Sequence, residues 1–293
     1  MLRLMALTGQ KYSLSLDRDK APGMKSWTQS LKARLFLMSS GHFSNHRWYG
    51  GYKDRQLKRA LAAPLDTRHL PPGYGRWLDE RLVEYPWMLS QLPEDVKNVL
   101  DAGSTLNHNF ILNHPALRGK KITIMTLAPE ENCFWRRGLS YVYGDLRHTF
   151  FRDESFDSVV SLSVLEHIGF DTTIYTRRAG KTESNPEGYR DALAEFRRVL
   201  QPGGSCLISV PFGKRDVRSW LQVFDAPMIE QVLADFRPSS HQVQYFLYTE
   251  KQEWQTSSQD EAANALYFDL NRDTPWPGCP AGAGAVACLH MKK

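Results

Sequence analysis

The residues best suited to chemistry stand at the ends of short apolar runs. In "NVLDAGSTLNHNF", residues 98–110, the run closes on Asp101, Gly103 and Ser104. Gly103 has no Cβ, so backbone there can approach a ligand closely, while the Asp101 carboxylate can either order the turn or attract an ammonium group. Cradling a pyrophosphate needs a G-x-G-x-x-G turn backed by a helix N-terminus, and "DAGSTLNH" does not supply it, which argues against a dinucleotide site. Farther on, "SVLEHIG" offers Glu166 and His167. A histidine of near-neutral pKa is the base candidate, with Glu166 orienting it or the substrate; the alternative is that His167 bonds backbone and Glu166 caps or pairs locally. Two segments are unusually basic: "GFDTTIYTRRAGKTESN", with Arg177, Arg178 and Lys181, and "GKRDVRSW", with Lys214, Arg215 and Arg218. The first is long enough to act as a lid. Together they suit an anionic substrate such as a phosphorylated or nucleotide-linked sugar, the alternative being solvated loops.

Alternating strands and helices must position these groups. Val99 and Leu100 lead into the first turn, and "KITIMTL" (121–127), "LSYVYG" (139–144) and "FDSVVSLS" (156–163) read as buried strands at helix-sized intervals. "SCLISVPF" (205–212) starts after "QPGG", where Pro202 presets φ and Gly203 can supply a positive φ. Before it, Tyr189, Ala192, Leu193, Phe196, Val199 and Leu200 form an apolar helical stripe, with Asn185 as its cap and Pro186 at its first position. Residues 76–92 read as helical, kinked or divided at Pro86. Strand, helix, strand repeated in this way predicts a doubly wound α/β sheet whose ligands sit beyond the carboxyl ends of the strands. Asp101 to Ser104, Asp145 and Leu146, Leu165 to His167, and Pro211 to Lys214 all fall on that edge.

Composition narrows the class. At 293 residues and 42% hydrophobic content the chain can bury a substantial core. No apolar run approaches the ~20 residues that span a bilayer, and the first residues do not read as a signal peptide, so a cytoplasmic protein is expected. Cys133, Cys206, Cys279 and Cys288 show neither metal-site spacing nor a disulfide framework. Net charge +5 hides an asymmetry: residues 1–64 hold twelve Lys and Arg against three Asp and Glu, net +9, and the remainder is net −4. Such an arm can meet an anionic membrane surface, nucleic acid or an anionic polymer, or be an ordinary solvated segment. The Pro71-Pro72-Gly73 cluster separates a basic extension, residues 1–75, from a compact domain, 76–293.

"VLDAGS", "YGDLRHTFFRDESFDSVVSLSVLEHI" and "FRRVLQPGGSCLISVPFGK" resemble, in order and spacing, class I S-adenosylmethionine-dependent methyltransferases, over residues 98–214. Within that class the chain looks most like a bacterial branch found among surface-glycan genes. The resemblance implies a Rossmann-like, mostly parallel seven-stranded sheet completed by "SHQVQYFLYT" and "GAVACLHMKK". It implies S-adenosylmethionine as cofactor, held by Asp101, Ala102, Gly103, Ser104, Thr126, Asp145, Leu146, Ser163 and Leu165, with Asp145 and Leu146 meeting adenine. Thr105 departs from the family's usual glycine, and a β-branched residue resists positive φ, so the loop must be rerouted. Thr126 stands where the family places an acid on the ribose hydroxyls, with Glu130 and Glu131 four and five residues later.

The expected function is methyl transfer to oxygen of an anionic saccharide or other small molecule, with no metal. An RNA methyltransferase using the basic arm, and a cofactor-free binding or scaffold protein, are the alternatives. The expected location is cytoplasmic, with peripheral contact at the inner membrane face left open.

Overall fold

A computed structural model describes residues 31–39, 47–130, 132–176, 183–269, 273 and 282–293. The five parallel strands are β1 (Asn98–Ala102), β2 (Lys121–Thr126), β3 (Ser140–Tyr143), β4 (Phe156–Leu162) and β5 (Leu200–Pro211). After the two-residue strands β6 (Asp216–Val217) and β7 (Gln222–Val223) come β8 (Ser240–Tyr248), β9 (Trp254–Ser257) and β10 (Ala285–Lys292). The main sheet runs β3-β2-β1-β4-β5-β10-β8-β9. β10 lies antiparallel between β5 and β8, and β9 is antiparallel to β8. The sheet thus has eight strands rather than seven, the addition being the edge strand β9. The two segments expected to complete the sheet form β8 and β10.

Successive residues of a strand face opposite sides, and here both faces are covered. Val99, Ile124, Val160, Leu207 and Cys288 join one core; Leu100, Met125, Val159, Ile208 and Leu289 join the other. The first core receives α1 (Tyr49–Ala60) and α2 (Arg81–Gln91); the second receives α3 (Tyr189–Val199) and α4 (Ala226–Phe236). α3 buries Tyr189, Ala192, Leu193, Phe196 and Val199 as its stripe requires. Its start differs from expectation: Gly188 is the cap, and Asn185 Oδ1 instead accepts the Glu187 N–H at 3.2 Å in the turn before it. α2 begins at Arg81, not Arg76, and runs through Pro86 as one helix. α4 is capped by Asp225, which accepts the Met228 N–H at 3.1 Å. β5 begins at Leu200 rather than Ser205, and Gly203, with φ 76°, lies where the strand's pairing with β4 shifts register.

The described part of the basic arm packs on the same core. Phe36 is fully buried and stacks on Tyr52 with ring centroids 4.9 Å apart. Residues 67–78 run along the β8–β9 edge, where Trp254 Nε1 donates to the Leu78 carbonyl at 2.8 Å and Trp254 N–H to that of Tyr74 at 2.9 Å. No helix among the described residues is long and apolar enough to cross a membrane.

Candidate active site

β1 is central, and Asp101 on it lies between Ile124 of β2 and Val160 of β4. Its fully buried carboxylate accepts from Thr105 N–H at 3.0 Å, Thr105 Oγ1 at 3.1 Å and Leu106 N–H at 2.8 Å. Asp101 therefore closes its own turn. Burial raises its pKa to about 7 against the pull of these donors. Positive φ falls on Gly103 (114°) and Ser104 (64°), which relieves Thr105 of the conformation it resists. A Cβ on Gly103 would come within 2.3 Å of Val164 Cγ2, so the turns after β1 and β4 interlock here. Ser104 Oγ is buried without a hydrogen-bond partner, and Ala102 is wholly buried beneath it in the chain.

On the β2–β3 side, half-buried Thr126 presents its carbonyl to Gly144 N–H at 3.0 Å. Asn107, at the next position where the family usually has glycine, donates from Nδ2 to Glu130 Oε2 and to the Asn132 carbonyl, both at 3.0 Å, while Tyr141 OH donates to its Oδ1 at 2.9 Å. This network carries Glu130 over the first turn; Glu131 lies outside the described residues. Asp145 is engaged on both oxygens by Arg147, Oδ1 from Nε at 3.0 Å and Oδ2 from Nη2 at 2.7 Å, and Arg147 also meets Glu183. Burial opposes ionisation of Asp145, but Arg147 outweighs it and holds the carboxyl below its usual range. Arg147 thus occupies the carboxylate that was expected to meet adenine. Leu146 is buried beside it.

The turn after β4 is clamped by α2. Glu84, fully buried, accepts at Oε1 from Ser163 Oγ and from Ser209 Oγ, the latter at 2.6 Å, and at Oε2 from Arg81 at 2.7 Å. Arg81 also donates to the Leu162 carbonyl at 3.0 Å. Ser163 has φ 47° and gives its N–H to Ser209 O at 3.0 Å. Neither Arg81 nor Glu84 stood out in the sequence, because both come from a helix about 80 positions upstream of the turn they hold. Leu165 is buried and anchors the turn in the core.

Glu166 is 2% exposed, and its Oε2 has no hydrogen-bond partner. Burial drives its pKa well above the carboxylate range; its own N–H works against this and Glu84 adds to it. His167 departs from its expected near-neutral pKa. Burial lowers it to about 4, opposed by the Trp220 carbonyl at 2.8 Å from Nδ1 and assisted by Arg81. A neutral ring whose Nδ1 faces a carbonyl carries its proton there. The imidazole stacks on Trp220 at 5.3 Å, and Trp220 meets Tyr267 edge-on at 6.1 Å, forming an aromatic wall.

The two basic segments meet at this edge, with Asp171 N–H donating to Ser219 O at 3.0 Å. Their cations are less available than their number suggests. Arg218 is paired with Asp216 at 2.7 Å and Asp273 at 2.9 Å, and Arg215 contacts the Met228 sulfur. Lys214 is exposed. Arg177, Arg178 and Lys181 lie outside the described residues. Among the described residues no group of His, Cys, Asp and Glu is arranged to hold a metal.

These residues fit a cofactor with a cationic centre and no phosphate. Unpartnered buried Ser104 Oγ and Glu166 Oε2 stand on interlocked turns, and such groups require a polar partner. Residues 102–208 match the family model described as a methyltransferase domain. No curated protein matches the chain. Similar solved structures include a 1,6-didemethyltoxoflavin-N1-methyltransferase from Burkholderia thailandensis, with bound 1,6-didemethyltoxoflavin and S-adenosylhomocysteine, at 15% identity and TM-score 0.44, covering 95% of this chain and 97% of that one. A methyltransferase from Archaeoglobus fulgidus is 12% identical with TM-score 0.45, covering 74% and 95%. The N-methyltransferase NodS from Bradyrhizobium japonicum is 17% identical with TM-score 0.39, covering 82% and 97%.

Proposed function

We propose that the chain, whose residues 102–208 match a methyltransferase domain, uses S-adenosylmethionine to methylate an oxygen of a small-molecule substrate, a saccharide with an anionic group. The substrate would sit beside the turn at 163–167, against the aromatic wall of Trp220 and Tyr267. The observation that carries this reading is that unpartnered Ser104 Oγ and Glu166 Oε2 stand on two interlocked turns, the second of which is joined to that wall through His167. Aromatic faces suit the apolar face of a sugar ring, and exposed Lys214 supplies a cation near it.

S-adenosylmethionine supplies an activated methyl group, so the protein's tasks are alignment, exclusion of water and disposal of a proton. Asp101 and Asn107 hold the first turn in shape, and Glu84 and Arg81 hold the second. His167 joins the second turn to Trp220 and so sets the aromatic wall.

The test supplies labelled S-adenosylmethionine to the full chain with sugar phosphates, nucleotide-linked sugars and total RNA. Label on a saccharide supports the proposal. Label on RNA alone overturns it in favour of the basic arm as a nucleic-acid surface, and cofactor binding without transfer to any of them removes the saccharide assignment. The arm's net charge of +9 over residues 1–64 further favours contact with an anionic membrane, checked by co-sedimentation with phosphatidylserine vesicles at low and high salt.

A further inference from the structure

We propose that Glu166 is the counter-charge to the sulfonium of S-adenosylmethionine and the group that takes the substrate's proton during methyl transfer. The proposal rests on the methyltransferase reading above, and it replaces His167 as the base.

The geometry isolates Glu166 from any cation of its own. Its Oε2 is buried and unpartnered, on the turn whose Val164 packs against Gly103. α2 brings three charged groups to bear on it, Glu80, Arg81 and Glu84. Arg81, the one cation among them, is bonded to Glu84 and the Leu162 carbonyl. Glu80 has a buried oxygen without a partner as well. His167, whose Nε2 is 3.7 Å from Glu166 Oε1, is held neutral. Two buried carboxyl groups with one guanidinium already engaged make a region that favours an arriving positive charge. Without one, burial favours the protonated form of Glu166.

The charges then balance through the reaction. Arrival of the sulfonium drives the Glu166 proton to solvent, leaving a carboxylate opposite a cation. The substrate oxygen gives an electron pair to the methyl carbon, the carbon–sulfur bond breaks with its pair passing to sulfur, and the hydroxyl proton passes to Glu166. Sulfonium and carboxylate vanish together, leaving a neutral thioether facing a neutral acid. Glu166 ends in the form it has in the empty protein. His167 is less suited to this exchange, because its Nδ1 is committed to the Trp220 carbonyl and its pKa of about 4 makes it a weak base.

The test is titration calorimetry of the full chain with S-adenosylmethionine and, separately, with S-adenosylhomocysteine, which lacks the positive sulfur. Each is measured near pH 7 in two buffers of different ionisation enthalpy, for wild type and Glu166→Gln. S-adenosylmethionine should release close to one proton per site and S-adenosylhomocysteine about none, so affinity for the former alone should rise with pH, by up to about tenfold per unit. Glu166→Gln, which mimics the protonated acid, should bind S-adenosylmethionine without the extra proton release. Equal proton counts for the two ligands on wild type, a result that needs no variant, would overturn the proposal. So would release that persists in Glu166→Gln. Failure of both ligands to bind would instead remove the methyltransferase reading, and the proposal with it.

Discussion

The carboxyl end of β1 and the turn after β4 each bury one carboxyl group at the same edge of the sheet, and they differ in what surrounds it. Asp101 is enclosed by donors from its own loop, three bonds between 2.8 and 3.1 Å. Glu166 has an oxygen with no partner. Both have raised pKa values, because burial disfavours the charged form in each. A shifted pKa alone therefore does not separate scaffold from chemistry; hydrogen-bond completion does. A satisfied buried acid defines a shape, whereas an unsatisfied one costs stability that folding by itself does not recover.

The largest expected effect comes from emptying the satisfied site. Asp101→Ala strands two buried backbone N–H groups and a hydroxyl, at about 1 to 3 kcal/mol each, so a loss of roughly 3 to 9 kcal/mol is expected in denaturant unfolding. If stability holds and cofactor affinity alone falls, the contrast fails, and Asp101 belongs with the ligand rather than the loop.

Next in size is the seam between the turns. Gly103→Ala places a Cβ 2.3 Å from Val164 Cγ2 at φ 114°, so about 1 to 3 kcal/mol of strain is expected. Val164→Ala should recover part of that loss in the double variant. Strict additivity would show that the turns do not touch through this pair.

A smaller effect, read in kinetics, concerns His167. As the link to Trp220, it should affect substrate positioning: His167→Gln should raise the substrate's KM with kcat within a few-fold of wild type. A loss of single-turnover rate on the order of 10²- to 10⁴-fold would instead restore it as the base.

The same contrast explains what could be read from sequence. Strands β1, β2, β4 and β5 announced themselves because a parallel strand covered on both faces is a continuous apolar run, as "FDSVVSL" is. The carboxyl-edge residues followed from topology, so Asp101, Gly103, Ser104, Glu166 and His167 were within reach. β9 was not: Trp254 and Thr256 lie in a short stretch without a sustained alternation, and its pairing with β8 gives it a strand's geometry. α4 had a usable signal in Asp225, its cap, and Pro227 in its first turn. Glu84 and Arg81 were hidden for a different reason. Nothing local marks a helical glutamate as the partner of two serines at the ends of β4 and β5, because the contact exists only once the sheet has formed. Partner status, which separates Asp101 from Glu166, is a property of such long-range contacts.

The last expected effect is a slope in stability against pH, and it tests the two acids together. Asp101 shifts from 3.8 to about 7 on folding and Glu80 from 4.5 to about 7, both chiefly by burial, and Glu166 shifts upward for the same reason. Folded protein holds more protons than unfolded between those limits, so these groups stabilise fully below about pH 4, and that contribution is lost as pH rises through about 7. His167 acts oppositely, its pKa falling from 6.5 to about 4, so its contribution grows as pH rises toward 6.5 and then stays constant. Above about pH 6.5 the acids act unopposed by it, and stability of the ligand-free protein should decline toward pH 8, by up to about 1.4 kcal/mol per group per unit. Glu80→Gln and Glu166→Gln should each flatten the decline. Saturating S-adenosylmethionine should stabilise the protein more at pH 8 than at pH 6.5 in wild type, but by equal amounts at the two pH values in Glu166→Gln. The Asp101 share of the slope should persist with ligand bound, since its partners belong to the loop. A ligand-induced gain that is independent of pH in wild type would place the two carboxyl groups in one class and dissolve the distinction.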